Sequence, residues 1–383
     1  MKKKIFISEP LLDKKDRLSI LKCIDSGFIS SVGKNVVNFE NEIKKITKSK
    51  YCVACINGTS ALQISLKLLG VKKNDEVIAP TMSFVATINS ILYNNASPVF
   101  MDCDQYLNID IKKTLEFIRF KTVTKNKKTF NKKSKKRIKV IIIAHMYGNL
   151  CDFSQLKKIC VSKGIKILED AAESVGSFYK NGVHSGTVGD LGCFSFNGNK
   201  IITSGGGGAI VLENKILADK ARKYINQSKS ESIEYIHDDI GYNYRLSNLH
   251  ASLGISQIKK LKRFIKKKKY IYQEYKRKFI SNINFEILKN NQISLSNNWI
   301  NILQIKNDKI DKSKLLSFLI KNGIEARPIW HPLHLQKYCK NYEIFKIKQA
   351  NNLHKKCICL PSSINLKINE IKKVVKIINE YKN

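Results

Sequence analysis

Lys200 has the most reactive setting in the sequence. It follows a short apolar run that ends at Ser195 and a turn of Asn, Gly and Asn, and it precedes four consecutive glycines at residues 205–208. A lysine held in a pocket can lose its proton and form a Schiff base with a carbonyl compound. Glycines, which lack Cβ atoms, let backbone amides approach a phosphate or a planar ring. The pattern favours carbonyl chemistry at Lys200, although a flexible loop beside an ordinary surface lysine would read the same way.

A carboxylate and a glycine turn upstream could complete such a site. Asp170 ends an apolar run within residues 164–176, the position at which open α/β sheets place ligand-binding groups. A carboxylate beside a pyridine nitrogen keeps that nitrogen protonated, which makes the ring an electron sink. Residues 57–60 join a strand-like run to a helical pattern, and amides at such a helix N-terminus bind phosphate. An ordinary N-cap is the alternative interpretation of this turn.

The elements around these residues alternate between apolar, β-rich runs and helical patterns. This alternation predicts an α/β fold with a mostly parallel sheet and crossover helices. The predicted strands cover residues 51–56, 76–79, 97–101, 139–145, 166–169, 193–196 and 209–212, and the predicted helices cover residues 60–69, 84–93, 153–163 and 215–226. Residues 261–278 form a long, lysine-rich helical pattern that connects to a second unit.

Five blocks of sequence, taken in order, resemble a known family. The chain is similar to the PLP-dependent sugar-nucleotide aminotransferases of the DegT/DnrJ/EryC1/StrS family. The similarity runs from about Glu9 to about Pro361. Three further stretches resemble the branch that aminates UDP-4-keto-6-deoxy-N-acetylhexosamines in the bacillosamine and legionaminic acid pathways: Ser30-Ser-Val-Gly-Lys, Phe196-Asn-Gly-Asn-Lys-Ile-Ile-Thr and His237-Asp-Asp-Ile-Gly-Tyr-Asn-Tyr-Arg. The five blocks are Asn57-Gly-Thr-Ser-Ala-Leu, Pro80-Thr-Met-Ser-Phe-Val-Ala-Thr, Glu169-Asp-Ala-Ala-Glu, Ser195-Phe-Asn-Gly-Asn-Lys and Gly241-Tyr-Asn-Tyr-Arg.

The resemblance implies a fold and a division of the chain. The fold would be that of a fold type I PLP-dependent aminotransferase, with a large domain whose mixed, mostly parallel sheet is flanked by helices, and a small α/β C-terminal domain. Residues 1–40 would pack on the small domain, residues 41–258 would form the large PLP-binding domain, and residues 259–383 would form the small domain. Residues 119–139 contain 11 basic residues and no acidic one, and we expect an exposed surface insertion there.

The resemblance also implies roles for individual residues. Lys200 would hold pyridoxal 5′-phosphate (PLP) as a Schiff base and later move the proton, and Asp170 would pair with the pyridine nitrogen. Phe84 would stack on the ring, with a core position as the lesser alternative, and Glu173 would lie near the phenolic oxygen unless it is a solvated helix charge. The full set of expected cofactor-binding residues is Gly58, Thr59, Ser60, Phe84, Asp170, Glu173, Ser195, Lys200 and Asn243.

Two further implied residues, Asn243 and Arg245, lie in the last of the five blocks, and a third, His331, lies after it. Asn243 would reach the phosphate from the partner subunit of a homodimer, or would simply form a turn. Arg245 and His331 could contact the substrate, and packing in the core or at an interface is the equal alternative. No metal ligands are expected.

The implied reaction is transamination between L-glutamate and a nucleotide-linked sugar, through the PLP and PMP forms of the cofactor. Some family members carry His in place of the lysine and perform dehydration, so Lys200 favours transamination. The best substrate is UDP-2-acetamido-2,6-dideoxy-4-hexulose, and the product would serve bacterial surface glycan synthesis. The glycine run lacks the Glu found in many relatives, which leaves the sugar open. A 3-keto sugar, a dTDP- or GDP-linked sugar, or a PLP-binding regulator without turnover are the alternatives.

Composition sets limits on other functions. The 383 residues include 69 Lys and Arg against 31 Asp and Glu, a formal net charge of +38, and lysine supplies most of the excess. A nucleic-acid-binding role is the open alternative, but a basic surface coded by A/T-rich sequence accounts for the charge, and we expect no nucleic acid partner. The apolar runs are too short to span a membrane, and a cytoplasmic location is expected. The ten cysteines lack paired metal-ligand spacing, so reduced, mostly buried thiols are expected.

Overall fold

A computed structural model describes residues 4–230 and 234–381, which form an α/β structure. The α-helices are α1 Lys14–Asp25, α2 Lys34–Thr47, α3 Gly58–Leu68, α4 Ala86–Tyr93, α5 Ile111–Phe120, α6 Ser154–Lys163, α7 Lys215–Ile225, α8 Asn248–Ile258, α9 Leu261–Phe279, α10 Lys312–Lys321, α11 Gln349–Lys356 and α12 Ile368–Glu380. The strands are β1 Tyr51–Cys55, β2 Glu76–Pro80, β3 Ser97–Met101, β4 Thr122–Lys125, β5 Lys128–Asn131, β6 Arg137–Ala144, β7 Lys166–Asp170, β8 Phe178–Tyr179, β9 Leu191–Ser195, β10 Gly208–Leu212, β11 Phe285–Ile287, β12 Ser294–Leu295, β13 Asn301–Ile305, β14 Arg327–Pro328, β15 Glu343–Phe345 and β16 Cys357–Leu360.

The main sheet has the strand order β1-β10-β9-β7-β6-β2-β3-β15. All neighbours from β9 to β15 are parallel, whereas β10 runs antiparallel to both β9 and β1. The sheet is therefore mixed and mostly parallel, and helices flank it, which confirms the predicted fold class. Since β1 and β9 both oppose β10, the carboxyl ends of β1, β2, β6, β7 and β9 meet at one edge.

The central strands are apolar because both faces of the sheet are covered. In β6 the run Val140 to Ala144 is buried on both sides, as parallel strands under crossover helices require. Helix α3 buries nine of its eleven residues and contacts α4, α7, β9 and β10. Because most of this helix is buried, its N-terminus is held in place at the carboxyl edge.

A second, antiparallel sheet has the order β11-β13-β16-β14. Helices α9, α10 and α12 contribute Ile271, Tyr275, Leu319 and Val374 to the apolar core on it. Ile5 joins this core through a parallel bridge to Ile324, whereas helices α1 and α2 contact α8. The division at residues 40 and 258 stays a prediction.

The C-terminal part of the chain also returns to the main sheet. Strand β15 pairs in parallel with β3 at the sheet edge. Asp102, which follows β3, is fully buried and accepts hydrogen bonds from the backbone amides of Lys348, Gln349 and Ala350 at the start of α11, at 2.8 to 2.9 Å. The segment that leads into α11 is therefore fastened to the main sheet.

The basic segment at residues 119–139 is more ordered than an exposed insertion. It contains the end of α5, the β4–β5 hairpin and the start of β6, and the hairpin extends the main sheet. Most of its lysines are exposed, although Lys136 and Lys139 are partly buried. Thr129 and Asn131 are fully buried, and Asn131 Nδ2 donates to Glu76 and Glu343. The expectation of a surface insertion was wrong for this inward face, because a charge count does not show the alternation of exposed and buried positions in a hairpin.

Three simpler expectations can be compared with the structure directly. All ten cysteines are free and buried, as predicted. No helix within the described residues is long and apolar enough to cross a membrane. Among residues 4–230 and 234–381, no group of three or more His, Cys, Asp or Glu side chains is placed to hold a metal ion.

Candidate active site

A cavity of about 320 Å³ lies at the carboxyl edge of the main sheet. The segments that follow β1, β2, β6, β7 and β9 form its walls, and two tryptophans from the C-terminal part of the chain close it. The cavity thus gathers residues that are far apart in sequence. The predicted site residues that line it are Gly58, Thr59, Phe84, Asp170, Glu173, Ser195 and Lys200.

Lys200 lies in the turn after β9 and points its amine across Trp299. Its backbone N–H donates to the carbonyl of Asn197 at 3.0 Å, and its Nζ lies 4.1 Å from the centroid of the Trp299 ring. Burial lowers the pKa of the Lys200 amine, and the carboxylates of Glu173 and Asp170 oppose that shift without cancelling it. A lysine with a lowered pKa is a better nucleophile near neutral pH.

Asp170 ends β7 and is held by a hydroxyl from α4. Thr87 Oγ1 donates to Asp170 Oδ2 at 2.7 Å, and Ser83 Oγ lies 2.7 Å from the same threonine hydroxyl. The Ala172 amide donates to Asp170 Oδ1 at 3.3 Å. Burial raises the pKa of the Asp170 carboxyl above its ordinary value. A buried carboxyl without a cation bonded to it is suited to receive one from a ligand.

Glu173 follows three residues later and faces the same cavity. Its carboxylate accepts hydrogen bonds from the Tyr147 amide at 2.6 Å and from Trp330 Nε1 at 3.1 Å. Burial raises the pKa of this carboxyl as well, although nearby Lys200 opposes the shift. Phe84 is 48% exposed and meets Trp330 edge to face at 5.0 Å between ring centroids. Both residues therefore stand on the cavity wall, as expected from the sequence.

The N-terminus of α3 offers backbone amides to the cavity. Asn57 Oδ1 caps the helix by accepting from the Ser60 amide at 2.8 Å. No acceptor within residues 4–230 and 234–381 bonds to the amides of Gly58 and Thr59, which lie at the positive end of the helix dipole. A Cβ on Gly58 would lie 2.9 Å from Ser195 Cβ, so only glycine lets these two walls approach. Unbonded amides at a helix N-terminus suit the binding of a phosphate.

Two parts of the sequence interpretation change at this end of the cavity. Ser60 does not line the cavity, because its amide is used by the cap and its side chain is buried in α3. The glycine run at residues 205–208 does not line it either. A Cβ on Gly208 would lie 2.4 Å from the Asn57 carbonyl oxygen, so this glycine lets β10 pack under the turn that carries Gly58. Gly208 therefore supports the turn at residues 57–58 from below and does not itself face the cavity.

The remaining predicted residues lie outside this cavity. Asn243 is exposed and pairs through its backbone with Asn226. Arg245 forms a backbone bridge with Cys55, and its Nε is buried without a hydrogen-bond partner among the described residues. His331 is exposed and faces His354, with 3.4 Å between Nδ1 and Nε2. Their roles in phosphate and substrate binding stay predictions.

The structure adds residues that the sequence reasoning did not single out. His145, at the end of β6, lines the cavity and bonds through Nε2 to Glu169 at 2.8 Å. The Cys151 amide donates to its Nδ1 at 3.2 Å, so the proton is assigned to Nε2. Burial by itself raises the pKa of the Glu169 carboxyl. The hydrogen bonds from His145 and from two backbone amides outweigh burial and hold this pKa below its ordinary value. The sequence did offer one signal for His145, which is its position at the end of a strand that is predicted to be buried.

Trp299 and Trp330 are the other additions, and they are the two tryptophans of the chain. Both stack with Tyr147, at 6.1 Å between ring centroids in each case. Tyr147 is buried with φ 54°, an uncommon backbone conformation for a residue with a side chain, and its amide bonds to Glu173. Only tertiary contact brings these rings to the cavity, so their sequence positions alone gave no signal.

The residues present fit a phosphorylated pyridine aldehyde. The amine of Lys200 suits the aldehyde, the carboxyl of Asp170 suits a ring nitrogen, and the amides of Gly58 and Thr59 suit a phosphate. The apolar faces of Phe84 and Ala172 also line the cavity, which suits a planar ring. The donor set therefore agrees with the PLP site expected from the sequence.

Comparisons with known proteins agree with this chemistry. The model of the DegT/DnrJ/EryC1/StrS aminotransferase family matches residues 10–379. The chain is 33% identical to a GDP-perosamine synthase of Vibrio cholerae over 98% of this chain and 99% of the relative. It is also 33% identical to EpsN of Bacillus subtilis, described as a pyridoxal phosphate-dependent aminotransferase, over 99% and 96% of the two chains.

Among solved structures, the chain resembles Helicobacter pylori PseC, an aminotransferase involved in the biosynthesis of pseudoaminic acid. The TM-score is 0.90 and the identity 25%, and the match covers 99% of both chains.

Proposed function

The chain belongs to the DegT/DnrJ/EryC1/StrS aminotransferase family and is a PLP-dependent aminotransferase, and on that premise we propose that it aminates a nucleotide-linked 4-keto-6-deoxy sugar. The observation that carries the proposal is the grouping of Lys200, Asp170 and Glu173 around one cavity, beside free helix amides. Such a set can hold the cofactor at three points, which leaves the open side of the cavity for a sugar.

Each residue has one task in the proposed site. When bound, the cofactor supplies an aldehyde that accepts the amino group and a ring that withdraws electrons. Lys200 holds the cofactor and moves the proton, since its Nζ is the only amine on the cavity wall among the described residues. Asp170, fixed by Thr87, keeps the ring nitrogen protonated. Gly58, Thr59 and Ser195 bind the phosphate.

The amino donor we propose is L-glutamate. For the nucleotide of the sugar substrate, the sequence motifs and the comparisons point in different directions. The sequence motifs favour a UDP-linked N-acetyl sugar, whereas the relative from Vibrio cholerae is named for a GDP-linked amino sugar and matches over nearly the whole chain. We give priority to the GDP-linked sugar for that reason. The product would serve the synthesis of a bacterial surface glycan.

We also propose that the active unit is a homodimer. Helix α1 and the segment after it expose six large apolar side chains: Leu18, Leu21, Ile24, Phe28, Ile29 and Val32. An apolar surface of this kind is typical of an interface between subunits. Asn243 is exposed on the same chain and does not reach its own cavity, so a partner's cavity is its proposed place.

A single-turnover experiment tests the substrate. The protein in its pyridoxamine phosphate form is mixed separately with GDP-, UDP- and dTDP-linked 4-keto-6-deoxy sugars, and the return of the pyridoxal phosphate absorption is followed. Fast return with the GDP-linked sugar is expected, and NMR of the product should place the new amine at C4. Return with the UDP-linked N-acetyl sugar alone would transfer the assignment to that branch, and an amine at C3 would contradict the proposed carbon.

A further inference from the structure

Lys268 is a second enclosed lysine, outside the cavity. It lies in the middle of α9 and is 1% exposed. Its Nζ donates to the carbonyl of Trp299 at 2.7 Å and to the carbonyl of Ser362 at 2.5 Å. No carboxylate of the described residues forms an ion pair with it, so backbone carbonyls alone stabilise the amine. Burying a lysine without an acid is costly, which indicates that these two hydrogen bonds have a specific use.

The first of the two carbonyls belongs to a residue of the active site. Trp299 is 1% exposed, and its indole Nε1 donates to the carbonyl of Asn199 at 2.7 Å. Asn199 directly precedes Lys200, whose amine lies over the Trp299 ring. The indole thus contacts the lysine at two points, the backbone before it and the amine at its end.

The second carbonyl belongs to Ser362, which is hydrogen-bonded to the chain just after Trp299. Ser362 Oγ accepts from both the backbone amide and the side-chain amide of Asn301, two residues after Trp299, at 2.9 Å each. The Ser362 amide donates to the carbonyl of Ile7 at 2.7 Å. Lys268 therefore joins the segment before β13 and the segment after β16 to the middle of α9.

We infer that Lys268 is a positioning residue for Lys200, acting through Trp299. By holding the Trp299 carbonyl, Lys268 keeps the indole against Asn199 and the amine of Lys200. An amine has at least two N–H donors whether or not it is protonated, so both bonds persist across the neutral pH range. The inference rests on the proposed function only where it takes Lys200 as the residue that holds the cofactor. The link from Lys268 to Trp299 is independent of the cofactor.

The structure offers a matched control on the same helix. Tyr275 lies two turns further along α9, is fully buried, and donates through its hydroxyl to the carbonyl of Pro361 at 3.0 Å. Tyr275→Phe thus removes one hydrogen bond between α9 and the segment after β16, but none to Trp299. Lys268→Met keeps the length of the side chain and removes both donors.

The first readout is the environment of Trp299. In a Trp330→Phe background, Trp299 is the only tryptophan of the chain, so its emission is measured without interference. Lys268→Met is expected to shift this emission to longer wavelength and to raise its quenching by acrylamide severalfold, whereas Tyr275→Phe leaves both near the background values. If Lys268→Met yields no folded protein, Lys268→Gln retains two donors on a shorter side chain and should give a smaller change in the same direction.

The second readout is the capture of pyridoxal phosphate by Lys200, measured as the rate at which borohydride traps the adduct on the Lys200 peptide. Lys268→Met should slow this capture severalfold, and adding it to Trp299→Phe should slow capture no further, since both changes act on one contact. Unchanged emission and capture in Lys268→Met, or equal effects of Tyr275→Phe, would overturn the inference. Absence of capture by the unsubstituted protein would instead contradict the proposed function, while the emission readout would still test the link.

Discussion

The surroundings of Lys200 and Lys268 differ in what faces each amine. Lys200 faces a cavity with two carboxyls, and it makes no fixed hydrogen bond through its Nζ within the described residues. Lys268 faces two backbone carbonyls in a closed interior, and both of its bonds are short. Burial lowers the pKa of both lysines. A lowered pKa therefore does not identify a reactive lysine, and the open space and acidic neighbours around Lys200 are the features that do.

Replacing Lys200 should lower turnover more than any other single change, and it should separate the two lysines most clearly. Lys200→Ala removes the only amine on the cavity wall among the described residues, so amino transfer should fall by about 10³-fold or more. The initial rate of 2-oxoglutarate release measures this loss. Lys268→Met, which leaves the cavity amine in place, should retain measurable turnover. A Lys200→Ala protein that still transfers the amino group at full rate would contradict the assignment.

The carboxyls around Lys200 should matter next. Asp170→Asn keeps the shape of the side chain but cannot carry the negative charge that a protonated ring nitrogen requires, so turnover should fall by about 10²-fold or more. The hydrogen bond from Thr87 can persist with the amide oxygen, so the fold should remain stable. Turnover and thermal unfolding measured on the same preparation separate the two effects. Equal turnover of Asp170→Asn and the unsubstituted protein would remove Asp170 from the site.

A sequence pattern surrounds each of the two lysines, but the two patterns differ in kind. Asp170 ends an apolar strand, and Lys200 follows a strand and a turn that contains Gly198, and such local patterns are visible without a structure. Lys268 shares the helical spacing of Phe264, Ile271 and Tyr275, so its place on the buried face of α9 could have been predicted. Its partner Trp299 could not, because the contact joins segments that only tertiary packing brings together.

The difference between local pattern and tertiary contact also explains which strands were predicted well and which were missed. The seven predicted strands agree with β1, β2, β3, β6, β7, β9 and β10 to within two residues at each end, since apolar residues predominate at the centre of each. Strand β15 was missed because its three residues include Glu343 and its partner β3 lies far away in sequence. The hairpin β4–β5 was missed because its lysines hid the alternation of buried Thr129 and Asn131.

The pH dependence of stability should distinguish Lys268 from the exposed lysines. Burial lowers the pKa of Lys268 to about 7, so in the folded protein it loses its proton near neutral pH, whereas the unfolded chain keeps it to a higher pH. The unfolded state then binds more protons between the two values, and the free energy of unfolding rises with pH there, by at most about 1.4 kcal/mol per pH unit. Below pH 7 the contribution is constant and unfavourable.

Denaturant unfolding at a series of pH values from 6 to 10 measures this slope. The difference between the unsubstituted protein and Lys268→Met isolates the Lys268 contribution, since the other titrating groups are common to both. Lys269→Met, on the exposed side of α9, is the control and should keep the slope of the unsubstituted protein. A slope for Lys268→Met that equals that of the unsubstituted protein would contradict the lowered pKa.

Replacement of lysines on the β4–β5 hairpin should have the smallest effect. Lys125, Lys128 and Lys133 are exposed, and changing all three to Gln should alter the free energy of unfolding by no more than about 0.5 kcal/mol per site. Asn131→Ala is the control on the same hairpin. It removes a buried amide that donates to Glu76 at 2.9 Å and to Glu343 at 2.6 Å, so it should cost about 1 to 3 kcal/mol.

Turnover and the salt dependence of DNA binding complete this test of the exposed lysines. The triple Gln variant should keep the turnover of the unsubstituted protein, since none of the three side chains lines the cavity. If it instead loses tight, salt-sensitive DNA binding that the unsubstituted protein has, the hairpin lysines form a nucleic-acid site, and the exposed basic surface is more than solvated charge. Deleting the hairpin would not answer the question, because Asn131 and Thr129 belong to the main sheet and its neighbours, and their removal would disturb β6 as well.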